Sequence, residues 1–387
     1  MTKSNRNRKR PNYDHTVCCF QGGGALGAYQ VGVLQALQEN DYIPNWFVGT
    51  SIGAINSAIA AGNAVDERID KMRLFWKSIA TPAILDDTTL PNDIFSRRLY
   101  HFLSAQSAMM FGQPGFYKPR IPMLASLGWP QDSALLSYYD TAPLRNTLER
   151  FVDFDRINAG ETRLSVGAVE VSTGRIDYFD STKQRIGPEH IMASGALPPG
   201  FPAIEIEGRY YWDGGISSNT PLSYVLRSEH ANAHTLLCFM VHLFDSYGLD
   251  PCTLDDVEKR RKDIEYSSRF DKIMEMHQEI HALKYTIHQL SKHIPQAAKK
   301  SDRVAKHLDR GWDKTISLVR FLYQGDLDDL SSKDYEFSRK SIIEHIDQGY
   351  ADGKGAMNSS PWLEPVNTDI GIAIHDMSEH KKIKENP

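Results

Sequence analysis

Three short stretches carry the residue types that acyl transfer needs. Gly49-Thr50-Ser51-Ile52-Gly53 places a serine between glycines, the pattern of a sharp strand-to-helix turn that presents a hydroxyl as nucleophile. Upstream, Gln21-Gly22-Gly23-Gly24-Ala25-Leu26-Gly27 offers unobstructed amides of Gly22, Gly23 and Gly24 where an oxyanion would develop. Downstream, Asp213-Gly214-Gly215 supplies a carboxylate to take the serine proton, provided the site is dry enough to raise its pKa from about 3.9. Gly27, Gly49, Gly53, Gly214 and Gly215 support these turns by letting backbones approach closely.

The elements that must position them are legible too. Thr16 to Phe20 reads as a buried strand feeding the first glycine run, and Ala28 to Glu39 as the helix after it. Trp46 to Val48 reads as the strand before Ser51. A small-residue helix follows, running to Gly62. Arg209 to Trp212 is a strand ending at Asp213. Two rival chemistries share parts of this pattern. Gly22-x-Gly24-x-x-Gly27 matches a dinucleotide fingerprint, but the next strand ends in Val48-Gly49-Thr50-Ser51 where such sites want an acid. A Ser-His-Asp triad has His230, His234 and His242 after Asp213, yet only one strand-helix unit precedes Ser51, fewer than that hydrolase fold usually places there.

In this order the motifs resemble the patatin-like phospholipases, serine lipid acyl hydrolases with a Ser-Asp dyad. The resemblance covers roughly residues 15 to 245, including Ala193-Ser194-Gly195-Ala196-Leu197-Pro198 and Asn219-Thr220-Pro221-Leu222. It departs at Leu26, where many members carry Arg or Lys. It implies an α/β fold, a three-layer sandwich with a central, mostly parallel sheet, a helical insertion and a mainly helical C-terminal extension. It also implies Ser51 as nucleophile, Asp213 as base, an oxyanion hole at Gly22, Gly23 and Gly24, and phospholipase A or lysophospholipase activity. Neutral glycerides and thioesters are further substrates to consider. No cofactor or metal is expected, calcium included. The opposing reading is a catalytically idle scaffold of the same shape.

The 387 residues leave room for a catalytic part, 15–250, with an insertion or lid at 81–140, and an accessory part, 251–376. Arg261 to Arg269 resembles an accessory domain of bacterial members. In the insertion, Met109, Met110, Phe111, Phe116 and Trp129 suit an acyl-chain pocket. Net charge of −5, mixed in sign, gives no reason to expect nucleic acid. Residues 1–14 read as a disordered basic tail able to touch an anionic membrane surface, and 377–387 as a disordered polar one. Four cysteines, two adjacent in one strand, fit reduced thiols in a cytoplasmic protein, and no signal peptide or membrane-spanning run is evident. His277, His281 and His288 share a helical face without completing a metal site. Ile273, Met276, Ile280, Leu283, Ile287 and Leu290 run in register on that helix, a face for the core or for a second copy of the chain.

Overall fold

Alternation along β1 (His15–Phe20) sets the layers. Val17 and Cys19 enter one apolar cluster, and Cys18 and Phe20 the other. The computed structural model describes residues 13–81, 94–120, 132, 135–227, 235–248, 250–267, 269–311, 315–325, 329–364, 366 and 372–377. Both expected tails therefore lie almost wholly outside the described residues, as do Trp129, His230 and His234.

After β1 come α1 (Ala28–Glu39), β2 (Trp46–Gly49), α2 (Ile52–Ala61), α3 (Arg68–Ser78) and α4 (Ile94–Phe111). The short strands β3 (Lys118–Pro119) and β4 (Tyr139–Asp140) pair with each other. The remaining strands are β5 (Arg163–Glu170), β6 (Ile176–Asp180), β7 (Ile204–Ile206), β8 (Arg209–Asp213), β9 (Thr235–His242), β10 (Thr315–Leu322) and β11 (Ile372–Asp376). Among the described residues they form one nine-stranded sheet in the order β11-β10-β9-β1-β2-β5-β8-β7, with β6 also on β5. From β11 to β5 the pairings are parallel, and β6, β7 and β8 run antiparallel to their neighbours. Buried on both faces, β9 and β10 are nearly continuous apolar runs, the composition a central parallel strand requires.

One face of the sheet carries α1, α2, α3 and the helix Arg339–Ser359. The other carries the helix Leu222–Leu226 and the start of the helix Arg269–His293, through Phe270 and Met274. This is the three-layer α/β sandwich. The C-terminal third is mainly helical. It contributes β10 and β11 to the common sheet and lays Arg339–Ser359 along α1. A helix reads from Ser332 in the sequence, but Lys333–Tyr335 is a 3-10 turn. The helix begins at Arg339, where the Ser338 hydroxyl accepts from the Ser341 amide as N-cap. No described helix is long and apolar enough to cross a membrane.

The α1 crossing depends on missing side chains. A Cβ on Gly32 would overlap the Ile346 carbonyl, one on Gly349 the Tyr29 carbonyl, and one on Gly353 the Ala36 side chain. Backbone cannot yield as a side chain can. Gly349→Leu is therefore expected to destabilise the protein by about 3 kcal/mol through overpacking. Thermal melting checks this, with Gly355→Leu, where a Cβ meets nothing within 4 Å, as the control that does not lower the melting temperature.

Candidate active site

Strand register brings the serine and the carboxylate together. Gly49 at the end of β2 pairs with Val166 of β5, and Asp213 at the end of β8 pairs with Ala168 on the same strand. The two strand ends thus meet β5 two residues apart, and Ser51 and Asp213 line one cavity. The Ser51 hydroxyl lies close enough to Asp213 to hold its carboxyl pKa down.

Ser51 occupies a left-handed conformation, φ 57° and ψ −127°, which an L-residue adopts only where its surroundings enforce it. The enforcement is visible. Its amide donates to both the carbonyl and the hydroxyl of Ser194 at 3.1 Å, and the Ser194 hydroxyl in turn donates to the Gly167 carbonyl at 2.6 Å. Gly49 and Gly53 flank the turn because a Cβ on either would overlap backbone, that of Gly53 and of Phe20 respectively. Ser51 precedes the first turn of α2, whose dipole favours negative charge there.

Asp213 is 2% exposed. Burial pushes its carboxyl up to about 6, against the opposing pull of the Ser51 hydroxyl and of the Gly215 amide, which donates to Oδ1 at 2.7 Å. A carboxylate with this pKa is a competent base near neutrality, which an exposed aspartate is not.

The glycine loop after β1 is braced from behind. The Gln21 carbonyl accepts from the Gln30 side chain at 2.7 Å, and the Gly22 carbonyl from the Asn219 side chain at 2.9 Å. Because the peptide is planar and trans, the Gly23 N–H opposite the latter carbonyl points away from Asn219. The Gly22 amide itself donates to the Asn219 carbonyl at 3.3 Å, so it is engaged before any ligand arrives. Gly23 and Gly24, expected with it to receive an oxyanion, make no such backbone bond among the described residues. Gly24 needs its missing side chain twice over, having φ +55° and the Asp334 carbonyl where a Cβ would sit.

Ser51, Asp213 and the loop open into a cavity of about 90 Å³. Its walls include the aromatic side chains of Phe116, Tyr117, Phe201, Phe244 and Tyr266. Of the side chains proposed for an acyl pocket, Phe116 lines this cavity. Met110 and Phe111 do not, being 67% and 74% exposed, because the last turn of α4 directs Ala105 and Ala108 inward and these two out. Met109 offers its carbonyl to the Tyr139 hydroxyl at 2.8 Å and lies outside the lining, and Trp129 is outside the described residues. Leu26, at the position of the family's cation, is fully buried.

Histidine takes no part among the described lining residues. His242 is buried on the opposite face of the sheet, edge-on to Phe270 at 4.7 Å. Gln21, Ser194 and Asn219, which hold the turns, were not singled out from sequence as bracing residues. Gln21 sits beside the glycine run, and the other two lie within quoted stretches. No group of described His, Cys, Asp and Glu side chains is arranged to hold a metal ion.

Comparison with known proteins places these features in context. A family model described as patatin-like phospholipase matches residues 18–226, more than half of the chain, and a second, patatin phospholipase, matches 264–369. A patatin-like phospholipase domain-containing protein of Neurospora crassa is 34% identical over 85 residues, 22% of this chain and 9% of that protein. Triacylglycerol lipase ptl2 of Schizosaccharomyces pombe is 39% identical over 56 residues, 14% of this chain and 9% of that one. The chain thus matches less than a tenth of the length of either relative. Among solved structures, VipD from Legionella pneumophila aligns with 95% of this chain and 74% of its own at 13% identity and a TM-score of 0.34. The type III effector ExoU aligns with 88% and 54% at 13% identity and 0.26. With the glycine loop, the serine turn and the aspartate all inside the first matched segment, and much of the C-terminal third inside the second, the chain belongs to the patatin-like phospholipase family.

Proposed function

We propose that the protein is a serine acyl hydrolase of lipid esters, with Ser51 as nucleophile, Asp213 as general base and the Gly23 and Gly24 amides as oxyanion donors. The observation that carries this reading is a strained serine and a buried carboxylate of raised pKa lining one cavity. Ser51 Oγ attacks the ester carbonyl carbon while its proton passes to Asp213. The carbonyl oxygen, now anionic, lies against the two amides, each donor contributing about 3 kcal/mol to the transition state. Collapse expels the alcohol, which takes the proton from Asp213. Asp213 then deprotonates a water that attacks the acyl-serine, and collapse releases the fatty acid as Asp213 returns the proton to Ser51 Oγ.

Family membership and the aromatic cavity support a lipid substrate, with phospholipase A or lysophospholipase activity as the first assignment to test. The test is release of free fatty acid from phospholipids, lysophospholipids and glycerides, measured by mass spectrometry with Ser51→Ala as blank. Release from at least one class by the wild type alone is expected. No release from any class by folded protein would overturn the reading.

A further inference from the structure

We infer that the open groove between the helix Arg269–His293 and the strands β10 and β11 is a second ligand site, and that it binds a fatty carboxylate. None of its lining residues is shared with the cavity of Ser51 and Asp213. The two also lie at opposite ends of the parallel strands. The glycine loop and Ser51 follow the C-terminal ends of β1 and β2, whereas Ile316 and Ile372, which line the groove, stand at the N-terminal ends of β10 and β11.

Part of the lining is cationic. His277, His281 and Lys284 recur at i, i+4 and i+7 and so form one stripe on their helix, and Arg227, just past the helix Leu222–Leu226, lines the groove with them. Ser223 adds a hydroxyl. All five side chains can donate a hydrogen bond, and no Asp or Glu is among the described lining residues. The charges act on one another: burial first, then Arg227 and Lys284, hold the His277 imidazole below its ordinary pKa, and burial and Lys284 do the same to His281. An anion set among these groups relieves that repulsion.

The rest of the lining is apolar. Met276 and Ile280 lie one position before His277 and His281, so an apolar stripe runs beside the cationic one. Leu226 joins them, with Ile316 and Ile372, which are paired across β10 and β11. A free inorganic anion would meet the cations and leave the apolar lining wet, and a neutral hydrocarbon would do the reverse. An alkyl chain ending in a carboxylate satisfies both, its oxygens accepting from the cations while its methylenes cover the aliphatic side chains. The proposed hydrolysis releases such a molecule, but the groove binds it without any part of the catalytic machinery.

The experiment is calorimetric titration of the full chain with octanoate, octanol and inorganic phosphate. Wild type is expected to bind octanoate about tenfold or more tightly than either of the others, since octanol lacks the charge and phosphate the chain. Arg227→Ala, at an exposed position, and Lys284→Gln are each expected to weaken octanoate by about tenfold and to leave octanol unchanged, with thermal melting to show that each variant is folded. The cavity of Ser51 has no Lys, Arg or His among its described lining residues, so octanoate bound there would not respond to these substitutions. Octanoate bound no better than octanol, phosphate bound as tightly as octanoate, or octanoate affinity that both folded variants leave unmoved overturns the inference. Because the titration needs no turnover, each of these results leaves the hydrolase reading standing, and loss of that reading would leave the groove's affinity as it is.

Discussion

Ser51→Ala is expected to lower kcat on any accepted ester by a factor on the order of ten thousand to a million, with little change in substrate binding. The residual rate comes from the oxyanion donors alone, which remain in place when Oγ is removed. Asp213→Ala is expected to cost nearly as much, since no described histidine lines the cavity to take over as base. Asp213→Asn separates chemistry from geometry. An asparagine oxygen still accepts from the Gly215 amide, but it cannot receive the Ser51 proton. Inactivity of Asp213→Asn with a folded melting curve therefore assigns Asp213 to proton transfer. Steady-state kinetics on the three variants, each checked by thermal melting, makes the measurement. Activity of Ser51→Ala within tenfold of wild type would contradict the account.

The second large effect is with pH. Only the carboxylate form of Asp213 accepts a proton, so kcat/KM is expected to rise through about pH 6, level off above it, and fall about tenfold per unit below. An unburied aspartate would put that midpoint near 3.8. The stability consequence has the opposite sign. The folded pKa lies above the unfolded one, so the folded state holds the proton more tightly between about 3.8 and 6, and stability falls as pH rises through that window. Asp213→Asn, which stays neutral, is then expected to be more stable than wild type by about 3 kcal/mol above pH 7 and by nothing below pH 3. Melting curves at the two pH values check this. A pH profile with its midpoint near 4 would mean that the site is wet.

The parts of the site legible in the sequence are those that local backbone geometry dictates. Glycines at 49 and 53 are demanded by a turn that packs strand against helix, and Gly24 by a positive φ, so the residue types announce the turns wherever they fall. Pairing of Ser51 with Asp213 is a different matter. It depends on the register of β2 and β8 on β5, a property of strands that no local pattern records. Met110 and Phe111 had the right chemistry for an acyl pocket and the wrong phase on their helix. The docking of the helix Leu254–Ser267 was hidden for another reason. Asp255, Lys259, Lys262 and Asp263 look like an ordinary charged helix face until a partner segment from beyond residue 328 is set against it. β10 was legible as an apolar run. β11, five residues long with alternate positions half-buried or exposed, was not.

The account turns on whether Ser51 is activated by Asp213, and that is measurable without knowing the lipid. Wild type, Ser51→Ala and Asp213→Ala are incubated with a fluorophosphonate and analysed by intact and peptide mass spectrometry. The predicted result is a single adduct on Ser51 in wild type, none in Ser51→Ala, and labelling slowed at least a hundredfold in Asp213→Ala, given the rate a matched base typically contributes. An adduct on a different residue, or labelling of Asp213→Ala at the wild-type rate, would contradict it.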